Sequence, residues 1–219
     1  MKILTWNIER PKKANQLIID KLAAYDADIL ILTETNVIIN PGNEYISIAS
    51  ETLTKDHDGI NYNPGENRTT IWTKYRTGKH HKTYDNFTSV CAQIETPHGS
   101  LNVYATIIGV LGGMGERFKT DLENQLLDFE MLSSENSLCI VGDLNVTFSG
   151  RVYPSHDARN KLNAAFEKLK LTNLTSEIEN NVDHIVLSKD FIENRKVTID
   201  TWNHDKRLSD HIGICLTIE

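Results

Sequence analysis

The sequence predicts an α/β sandwich in which mixed β-strands are interspersed with helices. Short apolar runs rich in β-branched residues recur along the 219 residues, and amphipathic helical stretches separate several of them. No Gly-x-Gly-x-x-Gly motif or phosphate-binding loop opens a helix, which argues against a doubly wound nucleotide-binding fold. Hydrophobic residues form 39% of the chain, so a substantial core can be buried and residues 1–219 are expected to form one domain.

The beginning of the chain predicts a strand, a helix and a second strand. Residues 3–8 indicate the opening strand, and Pro11 suits the first turn of a helix that continues to about Tyr25. The consecutive aliphatic residues 29–32 indicate a strand that is buried on both faces. The polar residues 50–68 include Asn-Pro-Gly, so we expect a long surface loop there.

The middle of the chain predicts antiparallel strands over residues 70–74, 89–95 and 101–106. Turns are expected at Thr77-Gly78 and at residues 97–99. A helix with one apolar stripe follows, because apolar side chains recur there at spacings of four and three. The residues of that stripe are Phe118, Leu122, Leu126 and Phe129.

The remaining elements follow in the same alternating manner. Residues 138–141 indicate a short buried strand, and a helix is expected from Asp157, as its cap, through Leu169. Three closing strands are expected over residues 183–188, 196–202 and 212–218. The glycine cluster at residues 111–115 lacks the lysine and spacing of a phosphate-binding loop, so a mobile loop is expected there.

Charge and cysteine content limit the classes of function and the compartment. A net charge of −7 argues against a protein that coats nucleic acid by charge alone, but not against an enzyme that meets phosphates through a metal ion. Cys91, Cys139 and Cys215 lie in apolar runs without Cys-x-x-Cys spacing, which indicates buried thiols in a reducing compartment. The N-terminus becomes polar too soon for a signal peptide and no run reaches membrane-spanning length, so we expect a cytoplasmic protein that does not enter a membrane.

Acidic, amide and imidazole side chains stand where four apolar runs end. These ends are Trp6-Asn7, Thr33-Glu34-Thr35, Gly142-Asp143-Leu144-Asn145 and Ser209-Asp210-His211. We expect them to meet around a metal ion, and their hard oxygen donors favour Mg²⁺ or Mn²⁺. Because Mg²⁺ completes its shell with water and substrate phosphate oxygens, a phosphate ester is the expected substrate.

Read in order, these segments resemble the endonuclease/exonuclease/phosphatase superfamily, which includes pancreatic-type deoxyribonuclease. Asn102-Val103-Tyr104 and Val182-Asp183-His184-Ile185 belong to the same ordered set, which runs from residue 5 to residue 211. The resemblance implies a four-layer α/β sandwich: two packed sheets, mixed or mostly antiparallel, flanked by helices.

The resemblance also implies the ligands of the metal ion and the group that prepares the water. Glu34 would be the central metal ligand, with Asn7 and Asp210 supporting the ion directly or through water. Asp143 would orient or deprotonate the attacking water, and Asn145 would donate to the phosphate as negative charge builds. Residues two apart in an extended chain share a face, which suits that last pair. A solvated acid at Glu34 and purely structural turns at Asn7 and at Gly-Asp-x-Asn are the alternatives.

Further roles follow from the same resemblance. His211 would lie beside the scissile phosphate, with Asp183 holding its ring, and Tyr104 would contact the phosphate; packing in the core is the alternative for His211 and for Tyr104. The family's Pro-Asn after the Tyr104 position is replaced here by residues 105–108, so the substrate loop departs from the pattern. His184 is expected to be structural.

Two groups of cations are candidates for phosphate contact. Arg117 could touch a phosphate, although a solvated arginine at a helix start is the alternative. Residues 74–82 mix positive charge with an aromatic residue around a turn, and could contact a nucleic-acid backbone or form a solvated hairpin tip.

The function predicted from these residues is divalent-metal-dependent phosphodiester hydrolysis, with a nuclease acting on DNA or RNA as the first choice. A phosphatase or phospholipid-type phosphodiesterase acting on a small phosphorylated head group is the second hypothesis, because one site serves all these chemistries. A non-catalytic binding module is disfavoured, because the acids and the histidine are all present. The expected partner is nucleic acid or another phosphoester, and the expected state is a monomer.

Overall fold

The computed structural model describes residues 1–12, 15–53, 58–109 and 112–219. Its elements follow one another as β1 (Lys2–Asn7), α1 (Gln16–Tyr25), β2 (Ile29–Asn36), β3 (Ile46–Ala49), β4 (Glu66–Thr73), β5 (Thr77–His81), β6 (Val90–Thr96), β7 (Gly99–Ile107), α2 (Gly115–Ser133), β8 (Ser137–Asp143), α3 (His156–Lys168), β9 (Leu171–Asn173), β10 (Asp183–Ser188), α4 (Lys189–Ile192), β11 (Val197–Trp202) and β12 (Gly213–Ile218).

The strands form two six-stranded sheets of similar design. The first has the order β11-β12-β1-β2-β4-β3 and the second β5-β6-β7-β8-β10-β9. One parallel pair lies inside each sheet, β1 with β2 and β7 with β8, and every other pairing is antiparallel. The predicted mixed, mostly antiparallel arrangement is therefore confirmed.

Three apolar clusters hold the layers together. A central cluster joins the inner faces of the two sheets, with Ile3 and Ile31 from the first and Val141 and Ile185 from the second. A second cluster packs α2 and α3 on the outer face of the second sheet. A third packs α1 on the outer face of the first sheet. The order helix, sheet, sheet, helix is the predicted four-layer sandwich.

Two helix starts differ from the prediction. The first helix begins at Gln16, where the side chain of Asn15 accepts a hydrogen bond from the backbone of Leu17, and not at Pro11. The third is capped by Ser155, whose hydroxyl accepts from Ala158, so Asp157 lies inside the first turn. In both helices the cap is the residue whose backbone is extended immediately before the first turn.

Three short strands were not anticipated, namely β3, β5 and β9. Thr77-Gly78, predicted as a turn, begins the edge strand β5, and the predicted loop over residues 50–68 ends where β4 starts at Glu66. These strands are polar or very short, so their extended conformation depends on pairing with a neighbour, which local patterns do not reveal. Residues 54–57 of the predicted loop and residues 110–111, the second of which begins the glycine cluster, lie outside the described residues.

The described helices include none that is long and apolar enough to cross a membrane.

Gly142 sits at the end of β8 with φ 126°, and a side chain there would overlap the carbonyl oxygen of Thr106. We expect Gly142→Ala to lower the free energy of unfolding by about 3 kcal/mol or more, because a methyl group must displace the neighbouring backbone. Urea denaturation measures this loss. Gly99→Ala is the matched control, because Gly99 has φ 116° but no atom within 4 Å of an added Cβ. Equal losses for the two variants would contradict the close approach of the strands.

Candidate active site

The ends of five strands meet at one edge of the sandwich. Because β1 and β2 are parallel, Asn7 and Glu34 lie toward the same edge of the first sheet. In the second sheet β8 ends at Asp143, and β10 runs the opposite way and begins there with Asp183. His211 immediately precedes β12, which is antiparallel to β1. The directions of the strands therefore bring residues from distant parts of the sequence to one edge of the sandwich.

Asp143 and Asp183 are direct register partners in the β8–β10 ladder. Their side chains share the inner face of the sheet with Val141 and Ile185, and both carboxyl groups are buried. Burial, reinforced by the charge of Asp183, raises the pKa of Asp143 well above its ordinary value. A carboxyl group with a raised pKa is suited to exchange protons near neutral pH.

His211 joins the two sheets through this carboxylate pair. Its Nδ1 lies 2.6 Å from Oδ2 of Asp183, and its Nε2 lies 3.6 Å from Oδ1 of Asp210. Burial lowers the pKa of His211, but the charge and hydrogen bond of Asp183, with smaller contributions from Asp143 and Asp210, raise it to about 10. The contact with Asp183 holds the imidazole in one orientation, and the surrounding carboxylates favour its protonated form.

The backbone around His211 is anchored on both sides. The carbonyl of His211 accepts hydrogen bonds from Nδ2 of Asn203 at 2.6 Å and from the indole of Trp6 at 3.3 Å. The hydroxyl of Ser209 donates to the carbonyl of Asn7 at 2.6 Å, which ties this segment to the end of β1. These bonds fix the position of a residue that lies outside any strand.

Asn7 bridges the two sheets rather than presenting a free oxygen. Its amide nitrogen donates to Oδ2 of Asp143 at 3.3 Å, and its amide oxygen accepts from the backbone of Glu9 at 3.0 Å. The same side chain stabilises the ionised form of Glu34 through a hydrogen bond. In this orientation Asn7 positions the acids, and an amide flip would be needed to turn its oxygen toward a cation.

Glu34 is brought to the site by an unusual backbone conformation. Its φ is 47°, which is unfavourable for a residue other than glycine, and Asn145 has φ 51°. Such strain persists where the surrounding structure over-determines it, and it concentrates at functional sites. Burial raises the pKa of Glu34 and the charge of Asp210 adds to it, while Asn7 and His211 oppose the rise. The side chains of Asn7, Asp210 and His211 are therefore close enough to Glu34 to change its pKa.

Glu9 lies at the candidate site but is not among the residues predicted from the sequence. Its carboxylate accepts a hydrogen bond from the backbone of Asp210 at 3.1 Å, and its φ is 54°. Glu9 therefore lies beside Asp210 on the exposed rim of the site. The signal was present in the sequence, because Asn7 and Glu9 are two residues apart in the same way as Asp143 and Asn145.

Asn145 is locked against the neighbouring loop. Its backbone N–H donates to Oδ1 of Asp143 at 3.0 Å, and its Nδ2 donates to the carbonyl of Ile108 at 3.0 Å. A side chain at Gly113 would collide with the Asn145 carbonyl oxygen, so the glycine-rich segment packs closely here. The backbone of Asn145 is thus held next to the carboxylate of Asp143, while its side-chain amide is bonded to the Ile108 carbonyl.

The donor set fits a hard divalent cation. Oδ1 of Asp183 is buried and has no hydrogen-bond partner among the described residues, and Glu34 and Asp143 have raised pKa values that a nearby cation would oppose. In the part of the chain that the structure describes, no group of three or more His, Cys, Asp or Glu residues could by itself hold a metal ion.

The site opens into a groove of about 520 Å³ on the side of His211. Asp183, Asp210, His204 and Lys206 also line this groove. A groove of this size can admit part of an extended substrate next to the imidazole.

The structure corrects the expected role of Tyr104. Its side chain shares the outer face of the sheet with its register partner Ile140, whereas Asp143 points to the inner face. Its hydroxyl donates to Asp128 at 2.7 Å and lies 3.1 Å from the hydroxyl of Ser89. Tyr104 is therefore a core residue that fastens α2 to the sheet.

The structure also corrects the expected role of Arg117 in binding phosphate. Its guanidinium group contacts Asp121 at 2.8 Å, Asp58 at 2.9 Å and Asp85 at 2.5 Å. Three carboxylates leave this cation little capacity for a further anion, and it ties the segments around Asp58 and Asp85 to α2.

The cationic residues 74–82 do not form a hairpin tip, because Thr77–His81 is an edge strand. Lys79 pairs with Glu135 at 3.1 Å, and Lys74 pairs with Asp26.

The sequence matches the model of the Endonuclease/Exonuclease/phosphatase family over residues 4–211. The chain therefore belongs to this family, whose members are hydrolases acting on phosphoester bonds. No curated protein matches the sequence.

Solved structures share the fold at low sequence identity. An AP endonuclease from Archaeoglobus fulgidus superimposes with a TM-score of 0.74 at 17% identity, over 100% of this chain and 99% of that one. A 3′-5′ exonuclease from Neisseria meningitidis gives a TM-score of 0.72 at 15% identity and covers 100% of both chains. An endonuclease/exonuclease/phosphatase from Beutenbergia cavernae gives 0.68 at 15% identity, over 100% of this chain and 71% of that one.

His184 has the structural role that the sequence suggested. It is fully buried, its Nε2 donates to the carbonyl of Val146 at 2.9 Å, and its Nδ1 lies 2.9 Å from the hydroxyl of Thr175. It thereby holds the segment after Asn145 against β10. Burial lowers its pKa from 6.5 to about 4.

A histidine that is neutral when folded makes stability depend on pH. The unfolded chain takes up a proton below its pKa of 6.5 and the folded chain does not until about 4, so stability falls as the pH falls through this window. Between about pH 7.5 and about pH 5, the uptake of this proton by the unfolded chain should lower the unfolding free energy of the wild type by about 2 kcal/mol. The variant His184→Gln should not show this part of the decrease. Urea denaturation at the two pH values measures it, with the exposed His156→Gln as control. An unchanged pH dependence in His184→Gln would contradict the neutral buried state.

Proposed function

We propose that this protein is a divalent-metal-dependent phosphodiesterase, and that it acts as a nuclease on DNA or RNA. The observation that carries the proposal is the buried Asp143–Asp183 pair with His211 hydrogen-bonded to it, facing Glu34 and Asp210 across the sandwich. The relatives in fold include an AP endonuclease and a 3′-5′ exonuclease, which agrees with a nucleic-acid substrate.

The position of each residue in the site suggests its role in hydrolysis. Asp143, with its raised pKa, orients the attacking water and accepts its proton. His211, held by Asp183, stabilises negative charge on the phosphate, and its Nε2 is the atom that can exchange a proton with the leaving oxygen. Asn145 donates to the phosphate once its bond to the Ile108 carbonyl is exchanged for one to a phosphate oxygen.

Glu34 and Asp210 would hold Mg²⁺ or Mn²⁺, with Asn7 positioning the acids and Glu9 supporting the rim. The ion, when bound, would polarise the phosphate and lower the charge repulsion between substrate and carboxylates.

We also propose that residues 1–219 act as one catalytic domain, monomeric and cytoplasmic. Cys91, Cys139 and Cys215 are free buried thiols, which agrees with a reducing compartment.

Substrate class is tested by incubating the protein with Mn²⁺ or Mg²⁺ and supercoiled DNA, single-stranded DNA, RNA, or a panel of phosphomonoesters. We expect the polymers to be cut, and Asp143→Asn to reduce the rate by about 10²- to 10⁴-fold, because the group that prepares the water is lost. Asp157→Asn, on the exposed start of α3, is the control for a general change of charge. Release of inorganic phosphate with intact polymers would instead establish a phosphatase, and no hydrolysis of any ester would contradict the enzymatic proposal.

Metal binding is tested separately from catalysis. We expect Glu34→Gln to weaken Mn²⁺ binding by at least about 10-fold, measured by electron paramagnetic resonance of free Mn²⁺, because a neutral amide replaces the central carboxylate. Glu123→Gln, exposed on α2, should bind as the wild type does. Equal affinities in all three proteins would place the ion elsewhere.

A further inference from the structure

The long helix α2 buries a row of polar side chains beside its apolar stripe. Asp121, Gln125 and Asp128 follow one another at spacings of four and three, so they lie on one side of the helix. The first two have no exposed surface, and the third is 9% exposed. Burying a polar group is costly unless it is hydrogen-bonded, so the partners of these side chains indicate what the row is for.

Asp121 and Gln125 find their partners in the segment that leaves β7. Oδ2 of Asp121 accepts a hydrogen bond from the backbone N–H of Gly109 at 3.1 Å. Nε2 of Gln125 donates to the carbonyl of Ile107 at 3.3 Å, and its Oε1 accepts from the hydroxyl of Thr106 at 3.0 Å. We call Asp121 and Gln125 the α2 clamp, because together they hold this segment from the side of the helix.

The same segment contacts the candidate active site from its other side. The carbonyl of Ile108 accepts a hydrogen bond from Nδ2 of Asn145 at 3.0 Å. This carbonyl and the N–H of Gly109 belong to one peptide unit, and a peptide unit is planar. That unit is therefore bonded to Asp121 at one end and to Asn145 at the other.

The preceding peptide unit makes a second bridge of the same kind. Its carbonyl, that of Ile107, accepts from Gln125, and its N–H, that of Ile108, donates to the backbone carbonyl of Asp143 at 2.9 Å. Two consecutive planar units thus connect the α2 clamp to Asp143 and Asn145. A shift of the clamp would move the Ile108 carbonyl, because both units share Ile108.

The segment depends on the clamp for its shape. Residues 105–109 contain no proline that would fix the backbone, and Gly109 has φ 86°, a conformation that glycine adopts freely. The peptide unit before such a residue needs an external bond to keep its direction. Arg117 holds Asp121 in turn, with Nε 2.8 Å from Oδ1, and balances its buried charge.

From this geometry we infer that Asp121 and Gln125 are positioning residues for hydrolysis, which keep the Asn145 amide at the place from which it turns to the phosphate. This inference rests on the proposed nuclease function, and both residues act through the backbone rather than on the substrate. Because the amide starts from a fixed position, it can exchange its bond to the Ile108 carbonyl for one to a phosphate oxygen without a search among side-chain conformations.

The test measures kcat and KM with Mn²⁺ on the strand, DNA or RNA, that the wild type cuts. Asp121→Ala removes the acceptor of the Gly109 N–H. It should lower kcat by about 10-fold and leave KM nearly unchanged, because a misplaced amide stabilises the transition state less while the groove beside His211 is intact. Asp121→Asn keeps an oxygen that can accept from Gly109, and it should recover most of the rate.

A double-mutant cycle determines whether the loss passes through Asn145. Asn145→Gly removes the amide, and glycine tolerates the φ of 51° at this position. In that background Asp121→Ala should cause no further loss of kcat, because the group that it positions is already absent. The NMR signal of the Asn145 side-chain amide, identified by its disappearance in Asn145→Gly, should also shift in Asp121→Ala.

Asp128→Ala is the matched control for a buried carboxylate of α2. Asp128 accepts from the N–H of Tyr84 and from the hydroxyl of Tyr104, both at 2.7 Å, and not from the peptide units of residues 107–109. This variant should unfold at a lower urea concentration than the wild type but retain its kcat and its Asn145 signal. A loss of kcat equal to that of Asp121→Ala would overturn the inference, because destabilisation alone would then explain both.

If circular dichroism shows that Asp121→Ala does not fold, Gln125→Met, which has a similar length but cannot hydrogen-bond in the same way, replaces it with the same expectations. An unchanged or raised kcat, an equal loss with and without the Asn145 amide, or an unchanged amide signal would overturn the α2 clamp and leave the nuclease function intact. A wild type that cuts neither strand would overturn the nuclease function itself and the inference with it.

Discussion

The pairing of Asp143 with Asp183 across the β8–β10 ladder is the constraint on which the site depends. An antiparallel register places two acids side by side on a buried face, where their mutual repulsion would be costly without compensation. His211, the amide of Asn7 and the backbone N–H of Asn145 supply part of that compensation. Among the described residues Oδ1 of Asp183 has no hydrogen-bond partner, so the compensation is incomplete.

The rest of the architecture holds this pair rigid. The two sheets pack through one apolar cluster, so Asn7 and Glu34 of the first sheet are held in a fixed position relative to Asp143 and Asp183 of the second. Glu34 and Asn145 keep left-handed backbone conformations, which agrees with strain stored at a functional site. His184 fastens the segment after Asn145 through the carbonyl of Val146, and the backbone N–H of Asn145 is bonded to Asp143.

The net charge of the chain is −7, and three of its arginines are held by carboxylates. Arg117 is surrounded by three of them and acts as a structural tie. Arg10 and Arg68 each pair with one carboxylate, that of Glu66 and that of Asp58.

The sequence alone was sufficient for the alternation of strands and helices, because short-range apolar periodicity is a local property. It also predicted Glu34, Asp143, Asp183 and His211 as polar side chains at or beside strand ends, and their roles stay predictions. It misplaced Tyr104 and Arg117, since the face of a strand and the partners of a long side chain depend on which elements pack together. It missed β5 because an edge strand with polar residues is extended only by its neighbour. A pocket of about 110 Å³ brings Arg10 next to Arg68 and Ile107, and only packing of the two sheets creates that proximity, since hydrophobic burial and strand register act over long sequence separations.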